Sequence, residues 1–99
     1  MTKNSQVAGI FRDIGTILQV QGENPFRVRA YLRAAAAVES CAEDVAVLVS
    51  EHRLPIVPGI GKELAAKIEE IVATGSLRFY EDLKKSVPHG VLDLLTVLS

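Results

Sequence analysis

The apolar residues of this chain recur every three or four positions, which is the spacing of amphipathic helices. No segment shows the strict alternation of a half-buried strand, so the sequence predicts an all-α fold. In the first predicted helix, Asn4 or Ser5 is the expected cap and Gly22 marks the end. Its inward positions are Val7, Ile10, Phe11, Ile14, Ile17 and Leu18.

Two further helical patterns follow. Asn24 is expected to cap a second helix with Pro25 at its first position, where the missing N–H costs nothing. This helix extends to about Glu39 through four consecutive alanines, whose small side chains let neighbouring helices approach closely. A third helix is predicted from Glu43 to Glu51, with Val45, Leu48 and Val49 facing inward.

A turn from Leu54 to Gly61 separates the third helix from a fourth, because prolines in the turn exclude a helix interior. The fourth helix is predicted from about Lys62 to Ala73 and ends at Gly75. Two short helices are predicted to begin at Ser76 and Pro88. The pattern thus predicts one domain over residues 1–99, a compact bundle of four main helices plus short helices that contains one helix-hairpin-helix unit.

The turn itself, Pro58-Gly59-Ile60-Gly61 followed by Lys62, has the composition of a phosphate-binding loop. Both glycines can take positive φ and let another backbone approach closely. A turn that opens a helix presents free N–H groups and the positive end of the helix dipole at one place, where an anion fits. The N–H groups of Gly59, Ile60 and Gly61, with the charge of Lys62, are therefore candidate contacts to a DNA phosphate. The alternative is a glycine-rich turn that only joins two packed helices.

Composition limits the other function classes. Of the 99 residues 48% are apolar and the net charge is −1, which fits a globular domain and argues against a strong non-specific nucleic-acid binder. No apolar run reaches the roughly 18 residues that span a bilayer, and the N-terminus lacks the apolar stretch of a signal peptide. The one cysteine, Cys41, indicates a reducing compartment. His52 and His89 have no second ligand at metal-binding spacing.

The second helix carries arginines in its first turn, where cations oppose the helix dipole. Arg27 and Tyr31 are four positions apart and share a face near the buried side. Arg29 and Arg33 lie on nearly the opposite face and are expected to be solvated or to reach a phosphate outside this pocket. Arg27 with Tyr31 therefore forms a candidate pocket wall, a phosphate-binding cation beside a ring that stacks on a base or sugar. A half-buried core tyrosine is the alternative.

Lys67 lies at the border of the apolar face of the fourth helix, where partial burial makes it a candidate nucleophile. A neutral lysine amine attacks a sugar aldehyde at a damaged DNA end to form a Schiff base, which permits β-elimination of the phosphate. Glu63 lies four residues before Lys67 and Glu70 three residues after it, and both favour the charged ammonium instead. The alternative is a lysine engaged in a salt bridge at the helix border.

Three stretches of the chain together resemble a known family. They are Gly22-Glu23-Asn24-Pro25-Phe26-Arg27-Val28-Arg29-Ala30-Tyr31, then Leu54 to Ile71, then Thr74-Gly75-Ser76-Leu77. They are similar, in order and with matching spacing, to the N-terminal domain of bacterial family X DNA polymerases, which is related to that of DNA polymerase beta. The resemblance implies a compact four-helix domain that binds the downstream side of a DNA gap through its 5′-phosphate.

The resemblance also implies roles for individual residues. In the beta-type relative this domain removes a deoxyribose phosphate through a Schiff-base lysine, which falls on Lys67. The family's phosphate-side cation and aromatic residue fall on Arg27 and Tyr31. A second phosphate-binding lysine falls on Glu63, a reversal of charge that Lys62 would partly offset. A monovalent cation, Na⁺ or K⁺, would be held by the backbone carbonyls of Pro55, Val57 and Ile60.

The expected function is that of the DNA-binding domain of a family X repair polymerase, engaging gapped or nicked DNA as a monomer in the bacterial cytoplasm, at the nucleoid. The second hypothesis is a deoxyribose-phosphate or abasic-site lyase that uses Lys67, and the third is a helical protein-interaction module. The polymerase core that would hold divalent metal is not among these residues. The chain is therefore expected to be the N-terminal fragment of a longer polymerase, a stand-alone protein being the alternative, with no other cofactor in this domain.

Overall fold

Helices make up the fold, as the sequence predicts. The computed structural model describes residues 3–54 and 57–87. Within them lie α1 (Lys3–Val20), α2 (Pro25–Glu39), α3 (Val45–Ser50), α4 (Lys62–Thr74) and α5 (Arg78–Lys85). The helix predicted to begin at Pro88 lies outside the described residues. Among the described helices, none is both long and apolar enough to cross a membrane.

The ends of the helices follow local signals in the sequence. The Asn24 side chain accepts the N–H of Phe26 at 2.8 Å, and Pro25 opens α2. Gly75 ends α4 with a φ of 81°, the left-handed conformation that glycine adopts at little cost. The third helix begins slightly later than predicted, because the carboxylate of Asp44 caps it by accepting an N–H of its first turn at 2.8 Å.

The core forms mainly where α1 packs against α2. A Cβ at Gly15 would lie 2.8 Å from Cδ2 of Leu32, so the missing side chain allows the close approach of these helices. Phe11 of α1 meets Tyr31 of α2 edge to face, with ring centroids 5.6 Å apart. Apolar side chains from the other elements complete this core, among them Val45, Leu48, Leu54, Ile60, Leu64, Ile68, Ile71 and Leu77.

The prediction that Asn4 or Ser5 caps the first helix is wrong, because α1 already begins at Lys3. Asn4 instead lies within the first turn, with only 8% of its surface exposed. A buried polar side chain is costly unless its hydrogen bonds are satisfied.

Asn4 satisfies these hydrogen bonds with the loop between α2 and α3. Its Oδ1 accepts the N–H of Val45 at 2.8 Å. Its Nδ2 donates to the carbonyl of Val38 at 3.2 Å and to that of Glu43 at 2.9 Å. One side chain therefore fixes α1 to the end of α2 and to the start of α3.

Replacing Asn4 with alanine should lower the free energy of unfolding by about 2–3 kcal/mol, because the buried N–H of Val45 then has no acceptor. Gln19→Ala is the matched control, since Gln19 also lies on α1 but is exposed, and it should change stability by less than about 0.5 kcal/mol. Urea denaturation followed by circular dichroism measures both. Equal and small losses would contradict a structural role for Asn4.

Candidate nucleic-acid interface

The two glycines of the hairpin have different conformations. Gly59 has a φ of 92°, in the left-handed region. A Cβ there would lie 3.2 Å from Cβ of Ala37 and 3.4 Å from Cγ of Arg33, so the hairpin lies directly against α2. Gly61 has a φ of −83°, and no atom lies within 4 Å of a Cβ built on it. Gly59 therefore serves the fold, whereas Gly61 leaves room for an external group.

The backbone N–H groups of the hairpin fall into two sets. The N–H of Ile60 donates to the carbonyl of Val57 at 3.2 Å. The prediction that Ile60 presents its N–H to a phosphate is therefore wrong, because the turn itself uses this donor. The N–H groups of Gly59, Gly61 and Lys62 find no acceptor among residues 3–54 and 57–87. Since α4 also begins without a side-chain cap, these donors are available to an anion.

A groove of about 520 Å³ opens at these donors, and we call it the hairpin groove. Arg33 and Lys62 line it with positive charge, whereas Glu63 contributes one negative charge. Helical spacing places Arg33 about 120° around α2 from Arg27, and the hairpin lies against the side that carries Arg33. The other lining residues are Ala30, Gly59, Ile60, Gly61 and Leu64.

A second group of side chains consists of Arg27, Tyr31, Lys67 and Phe79, and we call it the Phe79 cluster. The guanidinium carbon of Arg27 lies 5.5 Å from the centroid of the Phe79 ring, and Nζ of Lys67 lies 5.1 Å from the same centroid. The ring of Tyr31 is nearly parallel to that of Phe79, with centroids 6.2 Å apart. The structure thus brings three predicted site residues together around a ring that sequence reasoning missed.

Tyr31 is a core residue rather than an exposed stacking surface. Only 1% of its surface is exposed, and its ring lies against both Phe11 and Phe79. The prediction that Tyr31 stacks on a base or sugar is therefore wrong for this conformation. Burial raises the pKa of its phenol, an effect that the Arg27 guanidinium opposes and the Glu63 carboxylate reinforces. The buried hydroxyl has no hydrogen-bond partner among the described residues.

Lys67 forms the salt bridge that its spacing from Glu63 predicts. Its Nζ lies 3.6 Å from Oε1 of Glu63, and 20% of its side chain is exposed. Glu70 was expected to favour the ammonium as well, but its carboxylate accepts the backbone N–H of Arg78 at 2.7 Å. Lys67 is therefore a partly buried cation with one exposed carboxylate partner and one aromatic neighbour.

The monovalent cation site implied by the resemblance rests on three carbonyls. Pro55 lies outside the described residues. The carbonyl of Val57 accepts the N–H of Ile60, which leaves one lone pair for a cation. The carbonyl of Ile60 accepts no backbone hydrogen bond from the described residues. Each of the two described carbonyls therefore keeps a lone pair, and binding of an ion there stays a prediction.

Comparisons with known proteins agree with this geometry. The model of the helix-hairpin-helix domain family matches residues 2–77. The chain is also 34% identical over 86 residues to a protein of Bacillus subtilis (strain 168) named DNA polymerase/3′-5′ exonuclease PolX. That match covers 87% of the chain but only 15% of the relative's length. The resemblance to family X polymerases and the helix-hairpin-helix fold, both predicted from the sequence motifs, are thus confirmed.

Proposed function

Because this chain belongs to the helix-hairpin-helix domain family, we propose that it is the DNA-binding domain of a family X repair polymerase and binds gapped or nicked DNA. The family and the similarity to a polymerase together indicate DNA binding in general. Two phosphate sites would make this DNA binding specific for gapped or nicked DNA. The hairpin groove would hold a phosphate within a strand, and the Phe79 cluster would hold the 5′-phosphate at the edge of a gap.

The single observation that supports the proposal best is the set of N–H groups in the hairpin and at the start of α4 that have no acceptor among the described residues. Gly59, Gly61 and Lys62 have no acceptor for these donors within the described chain, although each is positioned by a packed turn. The charges of Arg33 and Lys62 lie beside them. Contacts of this kind recognise the DNA backbone and carry no base information. The domain is therefore expected to bind DNA without sequence preference.

The 5′-phosphate is assigned to the Phe79 cluster on grounds of charge. Arg27 makes no ion pair with a carboxylate among the described residues. Lys67 adds a second cation at the same ring. A phosphate monoester carries about −1.5 to −2 charge at neutral pH, whereas a phosphodiester carries one. Arg27 and Lys67 together therefore suit the greater charge of a terminal phosphate.

Lyase activity at Lys67 is the second candidate function, favoured by the partial burial of this lysine beside Arg27. A terminal phosphate at Arg27 would bring the attached sugar close to Nζ. The neutral amine would add to C1′ of the open-chain sugar, and loss of water would give an imine. Removal of a C2′ proton and cleavage of the C3′–O bond would release the strand with its phosphate. Hydrolysis of the imine would return the amine. The salt bridge with Glu63 opposes the first step.

Gly61→Ala should weaken binding to gapped DNA by about tenfold, because a Cβ would occupy the space through which a phosphate approaches the free N–H groups. Its φ is accessible to alanine, so stability should fall by less than about 1 kcal/mol. Gly59→Ala is the contrasting variant and should cost about 1–3 kcal/mol of stability, since alanine disfavours its positive φ. Fluorescence anisotropy and thermal melts measure both effects. A folded Gly61→Ala variant with unchanged affinity would contradict phosphate binding at the hairpin groove.

Wild-type protein should bind gapped DNA with a 5′-phosphate about tenfold more tightly than the same DNA with a 5′-hydroxyl. Arg27→Gln should remove most of this preference. Arg29→Gln is the matched control, because Arg29 lies on the opposite side of α2 and contacts Phe26 instead. Titrations of the two DNAs at one salt concentration decide the result. Equal affinity of the wild-type protein for both DNAs would exclude a 5′-phosphate site.

For the lyase, borohydride should reduce the imine and trap a covalent adduct between the protein and DNA that carries a 5′-deoxyribose phosphate. Lys67→Ala should abolish the adduct, whereas Lys85→Ala, at an exposed lysine in the last turn of α5, should retain it. Glu63→Gln should raise the yield, because it removes the carboxylate paired with Nζ. Gel electrophoresis of labelled DNA measures the adduct. An adduct that survives Lys67→Ala, or no adduct from wild-type protein, would reject Lys67 as the nucleophile.

A further inference from the structure

We infer that Phe79 is a positioning residue, which holds the Arg27 guanidinium and the Lys67 ammonium at one place as a paired-cation site for a terminal phosphate. This inference rests on the proposed function of the Phe79 cluster. It goes beyond that function because it assigns the geometry of the site to an uncharged side chain on a different helix.

The first support is the convergence of three helices on one ring. Arg27 comes from α2 and Lys67 from α4, whereas Phe79 is the second residue of α5. Both cations lie within 5.5 Å of the centroid of the ring. Two like charges that share one neighbouring ring repel each other. The electron-rich face of an aromatic ring attracts each of them and so offsets part of this repulsion.

The second support is that no carboxylate performs the same task. Of the two cations, Glu63 forms an ion pair with Lys67 alone, with Oε1 and Nζ 3.6 Å apart. The Glu63 side chain is 75% exposed. Within the described residues no carboxylate forms an ion pair with Arg27. Phe79 is therefore the neighbour that the two cations share. An aliphatic side chain of similar size would fill the space but would not attract the cations.

The third support is the fixed orientation of the Phe79 ring. Tyr31 stacks on it with an interplanar angle of 7°, and Tyr31 is itself held edge to face by Phe11 in the core. The orientation of Phe79 is thus set by buried aromatic packing rather than by solvent-exposed contacts. Within the described residues the buried hydroxyl of Tyr31 has no acceptor for its proton. A bound phosphate oxygen is a chemically suitable partner for it.

The test compares Phe79→Leu with Phe79→Tyr, which retains the aromatic ring. For each variant, affinity is measured for gapped DNA with a 5′-phosphate and with a 5′-hydroxyl. We expect Phe79→Leu to reduce the ratio of the two affinities by about threefold to tenfold, whereas Phe79→Tyr should keep it within about twofold. Affinity for the 5′-hydroxyl DNA should change little in either variant. A purely structural role would instead lower both affinities together.

A proton NMR measurement on the DNA-free protein reads the positioning directly. The side-chain methylene protons of Lys67 should be shifted upfield by the ring current of Phe79, and this shift should vanish in Phe79→Leu but persist in Phe79→Tyr. If Phe79→Leu does not fold, Phe79→Met supplies the same comparison. A preserved phosphate preference in the folded aliphatic variant would overturn the inference alone. Equal wild-type affinity for the two DNAs would overturn the proposed 5′-phosphate site and the inference with it.

Discussion

The contact between the hairpin and α2 at Gly59 is the constraint on which both candidate phosphate sites depend. A residue without a side chain, in the left-handed conformation, lets the turn lie against Ala37 and the aliphatic stem of Arg33. The two sides of α2 can then serve different sites, with Arg33 at the hairpin groove and Arg27 at the Phe79 cluster. A shifted hairpin would separate Arg33 from the free N–H groups and Lys67 from Arg27 in one movement. One packing contact thus sets the geometry of both sites.

Glu63 lies between the two candidate phosphate sites, and its negative charge acts on the cations of both. It lines the hairpin groove, while its carboxylate pairs with Lys67 and raises the pKa of Tyr31. In the DNA-free domain this negative charge offsets part of the repulsion among the surrounding cations. The Glu63 side chain is 75% exposed and its Oε1 lies 3.6 Å from Nζ of Lys67, so a phosphate that approaches Lys67 competes with a largely solvated carboxylate. Glu63 therefore lowers the positive potential of the free domain without closing either site.

The features that could be predicted from the sequence are those that depend on interactions between residues close together in the chain. Asn24 caps the start of α2 and Gly75 caps the end of α4. Both act on residues next to them in the chain, so their roles can be deduced from spacing alone. Asn4 acts on residues 34 to 41 positions away, and no local signal reports that. Phe79 acquires its role only when α2, α4 and α5 come together, and no local pattern around it reports that. The N–H of Ile60 is engaged because it donates to the carbonyl of Val57 inside the turn. The glycine pattern of the sequence does not specify this hydrogen bond.

The near-zero net charge is compatible with DNA binding because ion pairs divide the surface into two regions. Arg12 and Arg53, on the side of α1 and α3, pair with acidic residues. The arginines of α2 and the first residue of α4 form no ion pairs among the described residues. These cations are Arg27, Arg29, Arg33 and Lys62. Unpaired positive charge is therefore available on α2 and at the start of α4, while the chain as a whole stays slightly acidic. A domain with few phosphate contacts releases few counterions on binding. The proposed preference for gapped or nicked DNA would therefore come from the fit of phosphates to fixed donors rather than from general attraction.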